Sequence, residues 1–433
     1  MNSKVNRRSF IKHTLKATAV LGAPLIIPGS ALGKNGKTAP SDRITIGCIG
    51  MGNMGTSNMQ VFLGNPDAQI VAVCDVDEIR LEKAREMVSV HGQNCIATPD
   101  FLKLIHDPSI DAISLATPDH WHGYIAVKAA ENGKDIYGEK PLSHNLAEGR
   151  AICNAVQANQ RIWQTGSWQR SQSNFRFGCE LVRNGRIGKV HTVQVGLPEG
   201  YSGRIPEEYH IQTPPATLDY DRWLGPAPYT PYIPFKTHWN WRWQLAFGGG
   251  QLLDWIGHHA DIAHWGLGME HTGPFEIKGK GEYPKTGPWD AASRYYLKAQ
   301  YPENITMIIA GGYPEIPMGT RWIGEYGWVY VNRGGVIKTN PESLVRETFG
   351  PDEVHLYRSN DHRANFIDCM KSRRPTITPA EVAHRSATPG HLGQIAMLLK
   401  RKIKFNPVTE AIINDPEASR LLSRPMRTPW KIV

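Results

Sequence analysis

Apolar runs divide the chain after Arg43 into a stretch of regular alternation and a longer, less regular one. Residues 43–49, Arg-Ile-Thr-Ile-Gly-Cys-Ile, are almost continuously apolar, as a strand buried on both faces requires. The run ends in Gly50-Met51-Gly52-Asn53-Met54-Gly55, and residues 57–62 suit the start of a helix. Residues 69–74 predict a second strand closing on Asp75, and Glu78-Ile79-Arg80-Leu81 opens the next helix. A helix over 101–105, a strand over 111–116, a helix over 124–132 and a strand over 134–137 continue the series. Repeated strand–helix units of this length predict an α/β fold with a doubly wound parallel sheet over residues 42–165. The loops after Ala116 and Tyr137 then open at the carboxyl edge, where such sheets bind ligands.

The second stretch, residues 166–405, lacks that regularity. Strand-like pieces occur at 294–299, 305–310 and 327–331, helical ones at 366–370 and 390–399, and residues 406–433 read as an extended tail. Between Trp168 and Trp243 the chain is rich in aromatics and proline, and the whole chain holds 13 tryptophans. Aromatic faces beside polar groups suit sugars, whose C–H faces stack while their hydroxyls take directed hydrogen bonds. Gln169, Arg170, Trp241 and His259 are the candidate substrate contacts.

Composition changes the picture chiefly at the amino end. The formal net charge is +9, but five of the excess positive charges (Lys4, Arg7, Arg8, Lys12, Lys16) lie in the first 31 residues, which contain no acid. The remaining basic residues are scattered, which argues against a nucleic-acid surface. Arg7-Arg8-Ser9-Phe10-Ile11-Lys12 fits a twin-arginine export signal, followed by an apolar stretch over 17–27 that Gly22 and Pro24 interrupt. That stretch is too short and broken for a membrane span of ~20 apolar residues, so no stable anchor is expected. Cleavage is expected after Ala31, with a linker over 32–41, transport by the twin-arginine machinery and a periplasmic location. The six cysteines show no CxxC or other metal spacing.

The glycine turn carries the first candidate chemistry. Glycines at 50, 52 and 55 permit a tight turn, close approach of a pyrophosphate to the backbone, and close helix–strand packing. Asp75 follows Gly55 by 20 residues, where a carboxylate should meet the adenosine ribose hydroxyls. It would repel a 2′-phosphate, so NAD is preferred over NADP, although Arg80 nearby pulls the other way. Candidate cofactor contacts are Gly50, Gly52, Asn53, Met54 and Asp75, then Thr117, Pro118, His120 and His122 after one strand, and Glu139 and Lys140 after the next.

Two longer stretches are more specific. "TPDHWHGYIAVKAAENGKDIYGEKPL" and "GGGQLLDWIGHHADIAHW" resemble the two signatures of the Gfo/Idh/MocA oxidoreductases, relatives of glucose–fructose oxidoreductase and inositol dehydrogenase. The resemblance runs from about Arg43 to the end, and the carboxyl end resembles a bacterial subgroup that often carries twin-arginine signals. It implies an N-terminal Rossmann domain, a C-terminal α+β domain with a large open, mostly antiparallel sheet, and oligomers assembled through that sheet. It also implies that Lys140 sits between nicotinamide and substrate hydroxyl, with Pro141 following a cis bond as in some relatives, and that Asp254 and His258 are the second motif's acid and histidine.

Chemistry makes sense of those types. Oxidising a secondary alcohol requires loss of its hydroxyl proton, for which imidazole is suited near neutral pH. His258 is then the general base, Lys140 the group that polarises the developing alkoxide, and Asp254 an orienter or relay. Adjacent His258 and His259 diverge by about 100 degrees on a helix, so they do not share a metal ion and none is expected. The expected activity is NAD(P)-dependent oxidoreduction of a sugar, glycoside or cyclic polyol with tightly held cofactor, one form of it being oxidation at C3 of a glycoside. The alternatives are a redox-neutral glycoside hydrolase of the α-N-acetylgalactosaminidase kind and, from another class, a non-catalytic sugar-binding protein.

Overall fold

The structure, a computed structural model, describes residues 38–201, 204–206 and 208–432. The twin-arginine pattern and its expected cleavage site lie outside the described residues. The chain divides after Arg43 into two compact units, and the second, from Ile44 onward, carries both sheets.

Its first half contains β1 (Ile44–Ile49), α1 (Asn53–Leu63), β2 (Ala68–Cys74), α2 (Glu78–Val90), β3 (Ile96–Thr98) and α3 (Phe101–His106). It continues with β4 (Ala112–Leu115), α4 (Asp119–Glu131), β5 (Asp135–Gly138), α5 (Leu146–Ala158) and β6 (Trp163–Thr165). The six strands are parallel in the order β3-β2-β1-β4-β5-β6. The order reverses between β1 and β4, which leaves a crevice at their carboxyl ends. Helix α4 begins at Asp119, five residues before the helix expected at 124, because Pro118 supplies an extended N-cap and Asp119 joins the first turn.

The second half adds α6 (Ser173–Arg183), β7 (Val190–Leu197), α7 (Tyr220–Leu224), α8 (Gly250–Leu267), β8 (Glu276–Glu282), β9 (Arg294–Tyr301) and β10 (Ile305–Gly311). Then follow β11 (Gly319–Gly324), β12 (Gly327–Asn332), β13 (Val336–Asn340), α9 (His362–Ser372), α10 (Ala380–Leu399), β14 (Ile403–Asn406), β15 (Ala411–Ile412) and α11 (Pro416–Arg420). Nine strands pair in the order β13-β12-β11-β7-β10-β9-β8-β14-β15. Only β7 and β10 run parallel; the other neighbours are antiparallel.

Helix α8 is the element that positions the site. Leu252, Leu253, Ile256, Ala260 and Ala263 form its apolar stripe and lie in the core against the large sheet. Two strand side chains tie it there: Thr320 donates to the His259 carbonyl at 2.9 Å, and Trp322 Nε1 to the Ala263 carbonyl at 3.2 Å. Its opposite side presses on the loop after β5, where a Cβ on Gly257 would come within 3.2 Å of Lys140 Cβ.

The carboxyl end differs from the extended tail expected at 406–433. It forms β15 and α11, and Arg424 then donates to Glu148 Oε1 at 2.7 Å and to the His120 carbonyl at 2.6 Å. Trp430 packs edge-on against Trp121 and Tyr124, at centroid distances of 5.0 and 5.5 Å.

Candidate active site

A cavity of about 330 Å³ opens where the strand order reverses, within the size range of small-molecule sites. Gly50 has φ +86°, and a Cβ there would stand 2.7 Å from the Thr117 nitrogen. A Cβ on Gly55 would meet the Gly50 carbonyl oxygen at 1.8 Å. Gly52 faces the cavity, with only the tip of Arg80 within 4 Å of its would-be Cβ, and it precedes α1 without a side-chain cap. The first-turn N–H groups of α1 are therefore available to an anion, and Asn53 and Met54 extend that wall.

Asp75 lines the same cavity and braces the turn, accepting from Met51 N at 2.7 Å and Asp77 N at 3.0 Å. Burial pushes its carboxyl up from the ordinary range. The cap of α2 is Asp77, which accepts from Ile79 N and Arg80 N, so Asp75 is left to the cavity.

Thr117, Pro118, Glu139 and Lys140 form the opposite wall. Glu139 Oε1 accepts from Asn58 Nδ2 at 2.9 Å, and Asn58 Oδ1 accepts from Arg363 Nη2 at 2.8 Å. Thr117 Oγ1 and Glu139 Oε2 are buried without partners. A glycine cradle, an uncapped helix start and two orphaned polar atoms on one cavity suit a dinucleotide rich in phosphate oxygens and hydroxyls.

His120 and His122, expected among the cofactor contacts, lie behind this wall rather than on it. His120 Nε2 bonds the Trp223 carbonyl at 3.0 Å, and burial lowers its pKa to about 3. His122 bridges the carbonyls of Pro141 and Thr117 at 2.9 and 3.0 Å, tying the two cavity loops together. Both sit in the first turns of α4, whose side chains at these positions turn into the core.

The Lys140–Pro141 peptide is cis. Lys140 Nζ donates to the Asp254 carbonyl at 2.7 Å and to Asp254 Oδ1 at 2.9 Å, at the cavity wall. Arg242 Nε reaches the same carboxylate at 3.2 Å. Burial pulls the Asp254 carboxyl up, but the Lys140 and Arg242 cations outweigh it and hold the group below its ordinary range. Asp119, also on the cavity, is pushed well above that range by burial and then by Asp254.

One turn along α8, His258 packs against the indoles of Trp168 and Trp255, at centroid distances of 6.2 and 5.4 Å. Its Nδ1 is buried without a partner. Burial, then the Lys140 and Arg333 cations, depress its pKa well below 6.5, so the ring is neutral near pH 7. Lys140 thus meets Asp254, 114 residues away in sequence, and its charge reaches His258 one turn farther along α8.

The expected substrate contacts divide. Trp241 lines the cavity beneath Arg242, whose guanidinium lies 4.5 Å from its ring. Gln169 and His259 are fully buried and face each other, Nε2 to Nδ1 at 3.3 Å. Arg170 is not a substrate contact: it is buried between Asp261 at 2.6 Å and Glu270 at 2.6 Å. A buried guanidinium with two carboxylates is neutralised inside the core, with all three of its nitrogens already engaged.

Sequence reasoning missed Asp119, Arg242, Arg333 and Trp430. The first two lie inside stretches already singled out, "TPDHWH" and the aromatic-rich run between Trp168 and Trp243, where their neighbours drew attention. Trp430 and Arg333 carried no local signal.

Comparison with known proteins matches residues 44–167 to a family model described as "Oxidoreductase family, NAD-binding Rossmann fold". Residues 180–432 match "Oxidoreductase family, C-terminal alpha/beta domain". The chain is 33% identical over 225 residues to the myo-inositol 2-dehydrogenase of Thermotoga maritima, covering 52% of this chain and 55% of that one. It is 27% identical over 209 residues to a glycosyl hydrolase family 109 protein of Shewanella pealeana, covering 43% and 44%. The chain thus spans about half the length of these curated relatives. The aldose-aldose oxidoreductase of Caulobacter crescentus shares the fold, with a TM-score of 0.62 at 18% identity over 84% of this chain and all of that one.

Proposed function

This chain belongs to the Gfo/Idh/MocA oxidoreductase family, and from that premise we propose that it oxidises or reduces a secondary hydroxyl of a sugar, glycoside or cyclic polyol with NAD. The observation that carries the reading is the Lys140–Asp254 pair, held on the wall of the glycine-turn cavity and one helical turn from a neutral histidine. Bound NAD would supply the hydride acceptor. His258, unprotonated near pH 7, takes the hydroxyl proton, as general-base catalysis requires. The Lys140 ammonium stabilises the developing alkoxide, and Asp254 with Arg242 fixes where that ammonium points. Asp75 beside Gly52 supports NAD over NADP through charge repulsion of a 2′-phosphate.

The test is NADH formation at 340 nm from a panel of polyols, hexoses and glycosides, with Lys140→Met as control. No NADH from any substrate, together with no nucleotide in the denatured protein, sinks the proposal.

Similarity to the family 109 protein supports a second reading, redox-neutral glycoside cleavage with the hydride returned in each cycle. Purified protein would then release aryl aglycones without added NAD. The Arg7-Arg8 pattern supports export of the folded, cofactor-loaded protein to the periplasm, where a retained cofactor has no pool to exchange with. The outer face of the large sheet, where Arg321 stacks on Trp328 at 4.7 Å, supports assembly of copies through that face.

A further inference from the structure

Arg333 follows β12 in the hairpin to β13, ahead of Gly334 and Gly335, both at positive φ (+73° and +75°) with open space where a Cβ would project. The hairpin is pinned to α6 by Asn174 Nδ2, which donates to the carbonyls of Asn332 and Val336 at 2.8 and 3.1 Å. From this fixed turn the Arg333 side chain runs inward, and its guanidinium lies between two indoles, 4.6 Å from the Trp168 ring and 4.3 Å from that of Trp255. These are the two rings that flank His258. Its Nε donates to Gln169 Oε1 at 3.1 Å, and Gln169 is itself fully buried. The plane and rotation of the guanidinium are therefore set, with its two Nη groups still to be used.

Arg333 differs from the two other arginines stacked on indoles around α8 in having no carboxylate in contact. Arg170 stacks on Trp265 and pairs with Asp261 and Glu270; Arg242 stacks on Trp239 and Trp241 and pairs with Asp254. Among the described residues, no carboxylate lies within 4.0 Å of Arg333. Burial pulls its pKa down to about 10, and the Asp254 carboxylate, out of contact, offsets that only in part. A planar fork with free donors matches a carboxylate in two parallel hydrogen bonds.

We propose that Arg333 binds a carboxylate on the substrate, so that the sugar oxidised at His258 is an acidic one of the hexuronate class. This rests on the proposed oxidoreduction for the reacting carbon, but not for the binding of the anion. Trp168 and Trp255 then do two things at once, holding the guanidinium and offering their remaining surface to the sugar ring.

The test uses the NAD-loaded protein and the methyl glycosides of glucuronate, galacturonate and mannuronate, each paired with its neutral hexoside. Binding is followed by tryptophan fluorescence and calorimetry. At least one uronate should bind about 10- to 100-fold more tightly than its neutral partner, the range of a charge-assisted hydrogen-bond pair. Arg333→Met should abolish that ratio and Arg333→Lys restore only part of it, because a point charge lacks the fork. Equal affinity for every pair, or a preference that survives in Arg333→Met, overturns the assignment. Selective uronate binding, with no NADH from any substrate and no nucleotide in the denatured protein, would sink the oxidoreduction and leave the anion site standing. NADH from a neutral sugar without any uronate preference would do the reverse.

Discussion

Gly50 and Gly52 make one wall of the cleft by having no side chains, whereas Lys140 and Asp254 stand opposite with long ones. His258 lies one turn along α8, and Arg333 is stacked on the two indoles that flank that histidine. On the glycine side the working groups are backbone N–H donors, and the constraint is that nothing may stand in front of them or inside the turn. On the α8 side the working groups are tips of side chains from the loop after β5, α8 and the β12–β13 hairpin. Lys140 is fixed by Asp254, Arg333 by Gln169, and His258 by packing against two indoles. The first wall suits a ligand of constant shape, since a backbone turn offers one geometry. The second can be retuned by replacing single residues, so substrate choice resides there.

Lys140→Met should show the largest effect of this difference. We expect kcat to fall on the order of 10³-fold, as for loss of one transition-state donor, with nucleotide retained. If retained nucleotide falls equally, Lys140 belongs to the cofactor wall and the comparison fails. Arg170→Met should act outside both walls, lowering unfolding free energy on the order of 3 kcal/mol by leaving Asp261 buried with no cation. Denaturant melts would show it, and a change in KM without a change in stability would return Arg170 to the site.

His258→Gln should cost about 10²-fold in kcat. In the unaltered protein the folded-state pKa of His258 is depressed, so the neutral base persists from alkaline pH down past 6.5. The acid limb of kcat should therefore lie below pH 6.5 and vanish in the variant; a limb above 6.5 contradicts the assignment. Gly52→Ala should be mildest. The new methyl meets only the movable tip of Arg80 at 3.0 Å, so folding is kept while nucleotide affinity drops about tenfold, ~1.4 kcal/mol. Unchanged affinity would mean that no phosphate comes close to that backbone.

The part of the cleft built on the parallel sheet was legible because the turn, Asp75, and the loops after β4 and β5 each follow a strand with a clear apolar run. Even there, proximity misled for His120 and His122, which share a motif with Thr117 and Pro118 yet turn inward on α4. The short β3 and β6, three residues each, leave no period to read. Helix α5 did leave a signal, Asn145 accepting from Glu148 N, the start of a capped helix.

Arg170 and Arg333 show where sequence stops. Both are arginines near tryptophans in aromatic or glycine-rich surroundings, and nothing local separates a core ion pair from a cation stacked on indoles with no carboxylate in contact. The sequence by itself determined the parallel sheet and the glycine turn, because strand period and turn chemistry are local properties of the chain, and the family resemblance pointed to Lys140, Asp254 and His258. Which cations find carboxylates, which histidines are buried braces, and where the tail ends were decided only by tertiary structure. Those outcomes depend on pairings across tens to hundreds of residues, and burial, not residue type, sets the charge each group carries.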